Sequence, residues 1–201
     1  DVHGSRGLGD VYKRQSIWSS SNLVSAIIFG KEFFTNFLSG GKSIDDLVVN
    51  NLKKSLPYIL ALKSFYFRKY HSIYNHIVIP YSDQLSLLPS YLQQLVMESN
   101  GKSVNSFNEN ISNSPCSFIF GEVGTDAQHS FFQALHQSTL SFTADLICFS
   151  HNLNSEFCIF DDYDKKNSKD LQNFAISQYL AFKNGSDKTI ENVHQHVEGN
   201  K

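Results

Sequence analysis

The sequence predicts an α/β protein in which a parallel sheet is covered by helices on both faces. Three short apolar stretches, at residues 76–81, 117–120 and 144–149, have the length and composition of buried strands. Stretches with helical periodicity lie between them and after them. Strands that alternate with helices along a chain are typical of parallel sheets, because each crossover needs a helix to return to the same edge. No internal repeat is present.

The region before the first strand is expected to be helical. Residues 23–29 and 32–38 predict two helices, which Gly40 and Gly41 would end. Residues 43–46 (Ser-Ile-Asp-Asp) form a capping pattern for a following helix. Ser55 can cap the next helix, with Pro57 in its first turn, and this helix is expected to end near residue 68.

A helix that ends in glycine follows the first strand. Leucines at positions 85, 88, 92 and 95 recur at helical spacing, and Pro89 fits in the first turn. Asn100-Gly101 can supply a left-handed residue at the end of this helix. Gln94 and Glu98 are four residues apart, so both should project from one face. A carboxylate beside an amide that can bind a hydroxyl group is suited to general-base chemistry, although an exposed glutamate near a helix end is the commoner finding.

The second half of the chain continues the alternation of loops, strands and helices. Residues 103–115 are rich in Ser and Asn and predict a loop, and residues 161–169 predict a charged loop before a helix at 171–182. Thr125 and Gln128 form a capping-box pattern, which places His129 in the first turn of a helix. The apolar side of that helix is expected to face the sheet and comprises Phe131, Ala134 and Leu135. The polar side comprises His129, Gln133 and His136.

Composition excludes several classes of function. Hydrophobic residues make up 41% of the chain and charged residues 18%, with a formal charge of −2, so neither a nucleic-acid partner nor a membrane partner is indicated. Cys116, Cys148 and Cys158 have no metal-ligand spacing and are expected to be reduced, buried thiols of a cytosolic protein. His194 and His196 are two apart with no accompanying carboxylate-histidine set, so no metal site is predicted. His71 and His76 are expected to be ordinary surface or boundary histidines.

Two motifs resemble one family. Residues 91–102 (Tyr-Leu-Gln-Gln-Leu-Val-Met-Glu-Ser-Asn-Gly-Lys) are similar to a signature of glucose-6-phosphate isomerases, Phe/Tyr-x-Gln-Gln-x-x-Met-Glu-Ser-Asn-Gly-Lys. Residues 121–133 (Gly-Glu-Val-Gly-Thr-Asp-Ala-Gln-His-Ser-Phe-Phe-Gln) resemble the family's Gly-Glu-Pro-Gly-Thr-Asn-x-Gln-His-x-Phe-x-Gln. The motifs occur in the family's order and at its spacing, which chance rarely produces.

The resemblance implies a fold, a reaction and a set of site residues. The fold would be the second sugar-isomerase (SIS) domain, a flavodoxin-like three-layer sandwich, and the reaction the interconversion of glucose 6-phosphate and fructose 6-phosphate through a cis-enediol. Glu98 would be the base, His129 would assist ring opening, and Gln94 would contact the sugar. The family needs no metal or organic cofactor. It is cytoplasmic and acts as a homodimer in which the histidine reaches the neighbouring subunit's site.

The resemblance also has limits. It covers residues 16–201, whereas residues 1–15 look like vector or adapter sequence, and Arg14 falls at the place of a family arginine without its flanking residues. Leu95-Val96 and Val123 replace the family's usual Gly-Asp or Gly-Asn pair and a proline.

The first domain, with most phosphate-binding hydroxyls, and a C-terminal lysine-bearing helix are absent, so we expect an internal fragment that is inactive alone. The alternatives are a non-catalytic SIS-type sugar-phosphate binding module and an isomerase domain fused to another enzyme.

Overall fold

A computed structural model describes residues 16–112, 114–149 and 162–184, with the backbone alone at positions 16, 21 and 162–168. The described chain divides into two compact units. The first unit comprises residues 16–74 and 94–117, and the second comprises residues 75–93 together with everything described from Phe118 onward. Among the described residues, no helix is long and apolar enough to cross a membrane.

The second unit is built on a three-stranded parallel sheet with the order β2-β1-β3. The strands are β1 (Asn75–Pro80), β2 (Phe118–Gly121) and β3 (Phe142–Ile147). β1 pairs with both neighbours, and its residues Ile77 to Pro80 are all buried. A continuous apolar run of this kind is typical of a central parallel strand that is covered on both faces. The predicted parallel α/β architecture is confirmed, and the strands lie within two residues of their predicted positions.

Helices follow each strand of the sheet. They are α3 (Leu88–Leu92) after β1, α4 (Gly124–Ser130) and α5 (Phe132–Gln137) after β2, and α6 (Asp162–Asn184) after β3. A short 3₁₀ turn, Asp83–Leu85, precedes α3. Because β2 and β3 lie on opposite sides of β1, the crossovers that lead to them run in opposite directions. Right-handed crossovers then place α3 on one face of the sheet and α4 and α5 on the other.

The core of the second unit lies between the sheet and the helices that follow β2 and β3. Its buried members are Ile77, Ile79, Tyr81, Ala127, Phe132 and Ala175. Alternate β1 residues point to this face, whereas Val78 and Pro80 point to the opposite face and are buried there. Phe131 and Leu135 pack against the core as predicted, but Ala134 is exposed and the buried residue is Phe132.

The first unit is helical before residue 75. It contains 3₁₀ turns at Ser16–Trp18, Ser20–Asn22 and Leu52–Lys54, with α1 (Leu23–Asn51) and α2 (Leu56–His71). The predicted break after Phe29 is present, because Gly30 has a φ of 82° and a ψ of 168°. The predicted start of α2 is confirmed. Ser55 is its N-cap and fully buried, and its hydroxyl donates to the Leu52 carbonyl at 2.7 Å.

The prediction that Gly40 and Gly41 end a helix is wrong, since α1 continues to Asn51. Glycine is only a weak helix breaker, at roughly 1 kcal/mol relative to alanine. A Cβ at Gly41 would lie 2.5 Å from the ring of Trp18, which stacks on Phe37. The residues expected to form a cap at 43–46 lie inside the helix, where the Ser43 hydroxyl donates to the Ser39 carbonyl at 2.9 Å.

Two further boundaries differ from the prediction. The helix expected across residues 125–136 is divided at Phe131, whose φ of −126° and ψ of 0° separate α4 from α5. The charged segment expected to be a loop before residue 170 belongs to α6, which begins at Asp162. Aspartate and lysine cost a helix only fractions of a kcal/mol, about 0.7 or less, so a charged composition did not exclude helix there. The described residues of the loop predicted at 103–115 are irregular, apart from one isolated bridge between Val104 and Asn110.

Tyr81 gives the fold a measurable dependence on alkaline pH. It is 2% exposed, its hydroxyl has no hydrogen-bond partner in the described chain, and burial raises its pKa to about 12. The unfolded chain loses the phenolic proton near pH 10, so stability is constant below that pH and falls as the pH rises toward 12. The free energy lost is on the order of 2–3 kcal/mol.

We therefore expect Tyr81→Phe to remove this alkaline loss and to raise stability at neutral pH by about 1 kcal/mol, because a buried hydroxyl without a partner is lost. Urea unfolding of both proteins from pH 8 to pH 12 measures the difference. Tyr70→Phe, at a site 63% exposed, is the control and should follow the wild type. Parallel pH curves for wild type and Tyr81→Phe would contradict the assignment.

Candidate functional site

Gln94 and Glu98 lie on a π-helical turn, Gln93–Glu98, which directly continues α3. The helix predicted through this segment is therefore α-helical over Leu88–Leu92, π-helical over Gln93–Glu98 and α-helical again at Ser99 and Asn100. Both side chains are exposed, whereas the three apolar residues between them are half-buried. Both residues are therefore open to solvent on one π-helical turn, and their projection from a common face stays a prediction. Single π-helical turns are rare and occur frequently at functional sites.

The start of the π-helical turn is held by a side chain that the sequence analysis did not single out. The Gln93 amide donates from Nε2 to the backbone carbonyl of Ile119 in β2 at 2.8 Å, within the second unit. The Gln93 backbone N–H donates to the carbonyls of Pro89 and Ser90 in α3. The repeated glutamine at 93 and 94 is the only signal in the sequence that could have suggested a second role for an amide here.

The end of the turn is closed without a left-handed residue. The Gly101 N–H donates to the Met97 carbonyl at 2.8 Å, and the Lys102 ammonium donates to the Glu98 carbonyl at 2.7 Å. Neither Asn100 nor Gly101 has a positive φ, so the predicted left-handed stop is wrong. Glycine is favoured for a different reason. A Cβ at position 101 would lie 2.5 Å from the Met97 carbonyl oxygen, a distance that real Cβ atoms do not adopt.

Cys116 lies beneath the same turn. Its thiol is 4.0 Å from the Val96 carbonyl, and burial raises the pKa of the thiol although Arg68 and Lys102 act in the opposite direction. Cys116 is a free, buried thiol as expected, whereas Cys148 is free and exposed. A thiol that burial keeps protonated is a poor nucleophile, so Cys116 acts here as packing.

The turn between β2 and α4 carries the second motif. Val123 is the N-cap of α4, with a φ of −55°, and its carbonyl accepts from the N–H groups of Asp126 and Ala127 at 3.0 and 2.8 Å. A proline has nearly the same φ, so the family's proline would fit the backbone that Val123 adopts. Thr125 lies inside the helix and makes no capping bond there, so the predicted Thr125–Gln128 capping box is wrong.

His129 lies in the last turn of α4 rather than in the first turn of a helix, which corrects its predicted position. The helix begins at Gly124, earlier than the sequence suggested, and it already ends at Ser130, so His129 comes near its end. The imidazole is exposed, and so are Gln133 and His136, as predicted for the polar side. Beside it, the Ser130 hydroxyl donates to the Glu122 carboxylate at 2.9 Å and links the end of α4 to the segment that precedes it.

His76 is more than an ordinary boundary histidine. It lies on the sheet between two residues of β3, with Nδ1 2.8 Å from the Thr143 hydroxyl and Nε2 3.1 Å from the Asp145 carboxylate. The parallel register places His76 opposite Thr143 and explains both contacts, since Asp145 follows on the same face. This cluster supports the pairing of β1 with β3. His71 is exposed beside the rings of Tyr66 and Phe67, in accordance with a surface role.

The described residues contain no group of three His, Cys, Asp or Glu side chains placed to hold a metal ion. His194, His196 and Cys158 lie outside them. Of the predicted site residues, the structure brings Gln94 and Glu98 together on one turn in the first unit, and it places His129 in the second unit. An exposed carboxylate beside an exposed amide can accept a proton from a ligand whose hydroxyl the amide binds.

Comparison with known proteins gives consistent matches. The family model described as Phosphoglucose isomerase matches residues 8–200, so the match begins inside the segment that we expected to be non-native. A glucose-6-phosphate isomerase of Christiangramia forsetii is 38% identical over 168 residues, which is 83% of this chain and 30% of that protein. A glucose-6-phosphate isomerase of Acinetobacter baylyi is 34% identical over 197 residues, covering 93% of this chain and 35% of that protein.

A solved structure supports the same relationship. The crystal structure of a glucose-6-phosphate isomerase from Chlamydia trachomatis matches 84% of this chain with a TM-score of 0.72 and 35% identity, and the match covers 32% of that protein. The chain therefore spans about a third of the length of the relatives it matches.

Gly101→Ala tests whether close packing against Met97 holds the end of the π-helical turn. The added Cβ must displace the backbone, so we expect a loss of stability of roughly 1–3 kcal/mol and faster hydrogen exchange at the amide of residue 101. Gly40→Ala is the matched control. Nothing lies within 4 Å of a Cβ there, and alanine in the helix should stabilise by up to about 1 kcal/mol. Equal effects at the two positions would contradict the packing argument.

Proposed function

This chain belongs to the phosphoglucose isomerase family, and we propose that it supplies the catalytic base of an aldose–ketose isomerase. The reaction interconverts D-glucose 6-phosphate and D-fructose 6-phosphate. The observation that carries the proposal is the π-helical turn, where Gln94 and Glu98 are exposed side by side within the segment that matches the family's motif. The domain is the second SIS domain of the enzyme, and the enzyme acts in the cytoplasm without a metal or organic cofactor.

The reaction moves one proton from C2 to C1 and a second proton from the C2 hydroxyl to the C1 carbonyl oxygen, through a cis-enediol that carries both hydroxyl groups. Glu98 removes the proton from C2 of the open-chain aldose and returns it to C1 through a cis-enediol. A carboxylate can serve in both directions, because it is the base in one step and the acid in the next. Gln94, on the same side of the turn, binds a hydroxyl near the reacting carbons and so fixes the distance between C2 and the carboxylate.

His129 assists the ring opening that precedes this transfer. The ring oxygen must gain a proton while the anomeric hydroxyl loses one, and an exposed imidazole can carry out both transfers. Its position at the exposed end of α4 leaves the ring accessible to a ligand. We propose further that the enzyme is a homodimer in which His129 of one subunit serves the site that contains Glu98 of the partner.

The departures of this chain from the motif lie around these groups and not at them. Leu95 and Val96 are half-buried inside the π-helical turn, and Val123 keeps a backbone that proline also adopts. None of the three replaces a proton-transfer group. A sugar-phosphate binding module is the second candidate, but it has no need of both a base and an imidazole.

Glu98→Gln is the direct test. The amide keeps the size of the side chain but cannot accept the proton, so we expect kcat for conversion of fructose 6-phosphate to fall at least about 1,000-fold with KM little changed. The assay couples product to a dehydrogenase and uses the longest open reading frame that contains the chain. Glu109→Gln, an exposed glutamate outside the turn, is the control. Equal activity of Glu98→Gln and wild type would remove Glu98 from the mechanism, and an inactive wild type would favour the binding module.

Mixed subunits test the proposed dimer. Glu98→Gln and His129→Ala are unfolded together in equal amounts and refolded, so that half of the dimers are mixed. If His129 acts across the interface, each mixed dimer has one site with both wild-type residues, and activity should return to about a quarter of the wild-type value. Each variant refolded alone is the control. No recovery in the mixture would contradict action across the interface.

A further inference from the structure

Tyr81, the first residue after β1, has no part in the proton transfers described above, yet it is among the most buried side chains of the second unit. Its N–H donates to the carbonyl of Ile147, the last residue of β3, at 2.7 Å. This bond continues the pairing of β1 with β3 by one residue and fixes the backbone from which the ring projects. The ring belongs to the same core cluster as Ala127 of α4.

Gly124, the first residue of α4, lies directly against the ring of Tyr81. A Cβ added to Gly124 would stand 2.5 Å from Cε1, 2.6 Å from Cζ and 2.8 Å from Cδ1 of that ring. Gly124 does not have a positive φ, so backbone conformation does not require a glycine at this position. The close approach of the Tyr81 ring to the backbone does require a glycine here. Because the tyrosine ring is buried, it cannot move aside as an exposed side chain would.

The helix that rests on this ring is the one that carries His129. One side of α4 is buried, with Gly124 and Ala127 facing the core, while His129 is exposed. The helix has only seven residues, and Phe131 breaks the backbone immediately after it. A helix of under two turns is set in place by its packing more than by its own stability. The position of the imidazole therefore follows from how α4 sits on Tyr81.

We propose that Tyr81 is a positioning residue for His129: its ring supports the start of α4 and thereby sets where the imidazole lies. The proposal rests on the function proposed above. The supporting element is the ring and not the hydroxyl, which has no hydrogen-bond partner in the part of the chain that the structure describes. Phenylalanine should therefore replace Tyr81 in this role, whereas a side chain without a flat ring should not.

A double-mutant cycle tests the proposal in the longest open reading frame that contains the chain. The variants are Tyr81→Phe, Tyr81→Leu, His129→Ala and the double variant Tyr81→Leu/His129→Ala. We expect Tyr81→Phe to keep kcat within about 2-fold of wild type. Tyr81→Leu should lower kcat at least about 10-fold with KM changed less than about 3-fold, because a displacement on the order of 1 Å is costly for a reacting group. With His129 already removed, the same substitution should change kcat by less than about 2-fold.

Leu171→Ala serves as the control for general damage to the core. Leu171 packs against the same cluster but belongs to α6, so its loss should lower the melting temperature without the selective effect on kcat. If Tyr81→Leu does not fold, Gly124→Ala takes its place in the cycle, because it disturbs the same contact from the other side. Circular dichroism establishes that each variant is folded before its kinetics are measured.

The outcomes separate the two proposals. If Tyr81→Leu lowers kcat by the same factor with and without His129, the ring acts on the fold in general and the positioning role is overturned, while the role of His129 stands. If Tyr81→Phe is as impaired as Tyr81→Leu, the hydroxyl and not the ring is important, which also overturns it. If His129→Ala leaves kcat unchanged, the proposed role of His129 fails and the positioning role fails with it.

Discussion

The buried strand β1 is the constraint on which the second unit depends. Residues Ile77 to Pro80 are buried on both faces, and β1 is paired with β2 on one side and with β3 on the other. Backbone groups in such a strand need hydrogen-bond partners because they are shielded from water, and β2 pairs with residues 75–78 while β3 pairs with residues 75–80. The strand order follows from this. Because β2 and β3 flank β1, the helices that connect β1 to β2 and β2 to β3 lie on opposite faces of the sheet. The loops that follow the strands meet at the carboxyl edge of the sheet, which is where open α/β sheets bind ligands.

Two motifs follow the first two strands of the sheet along the chain. The segment that bears Gln94 and Glu98 follows β1 through α3 and ends in a π-helical turn, whose first residue bonds to β2 through the Gln93 amide. The segment that bears His129 follows β2 directly and rests on Tyr81, just beyond β1. In both cases the group proposed for chemistry is exposed, whereas Met97 and Ser99 beside Glu98 are half-buried and Ser130 beside His129 bonds to Glu122. A ligand can then reach the reacting group, while the neighbouring contacts keep that group in a fixed position.

The sequence predicted the architecture well because its strongest signals, the apolar runs and their alternation with helices, do not depend on the details of tertiary packing. Apolar runs such as Ile77–Val78–Ile79 mark buried strands whatever surrounds them, and the alternation with helices then restricts the sheet to a parallel form. The errors were local. The sequence has residue types that commonly end or cap a helix at Gly40, Gly41 and residues 43–46. However, Trp18 occupies the space over Gly41, and the helix continues. Thr125 and Gln128 match a capping box, but Val123, with an extended backbone, begins the helix two residues earlier. Tertiary contacts decided each boundary, and these contacts are not visible in a window of four residues.

The site was predicted from motifs, and its supporting contacts were not. Glu98 and Gln94 were predicted by resemblance, whereas the π-helical turn and the Tyr81–Gly124 contact have no sequence signal of their own, and the Gln93 bond has only the repeated glutamine. The central claim is that Glu98 carries a proton between two carbons. Glucose 6-phosphate incubated with the enzyme in D₂O and followed by NMR tests it directly. If Glu98 carries the proton, deuterium enters C2 with wild type and does not enter with Glu98→Gln. Undiminished exchange of the C2 hydrogen in the Glu98→Gln variant would contradict it.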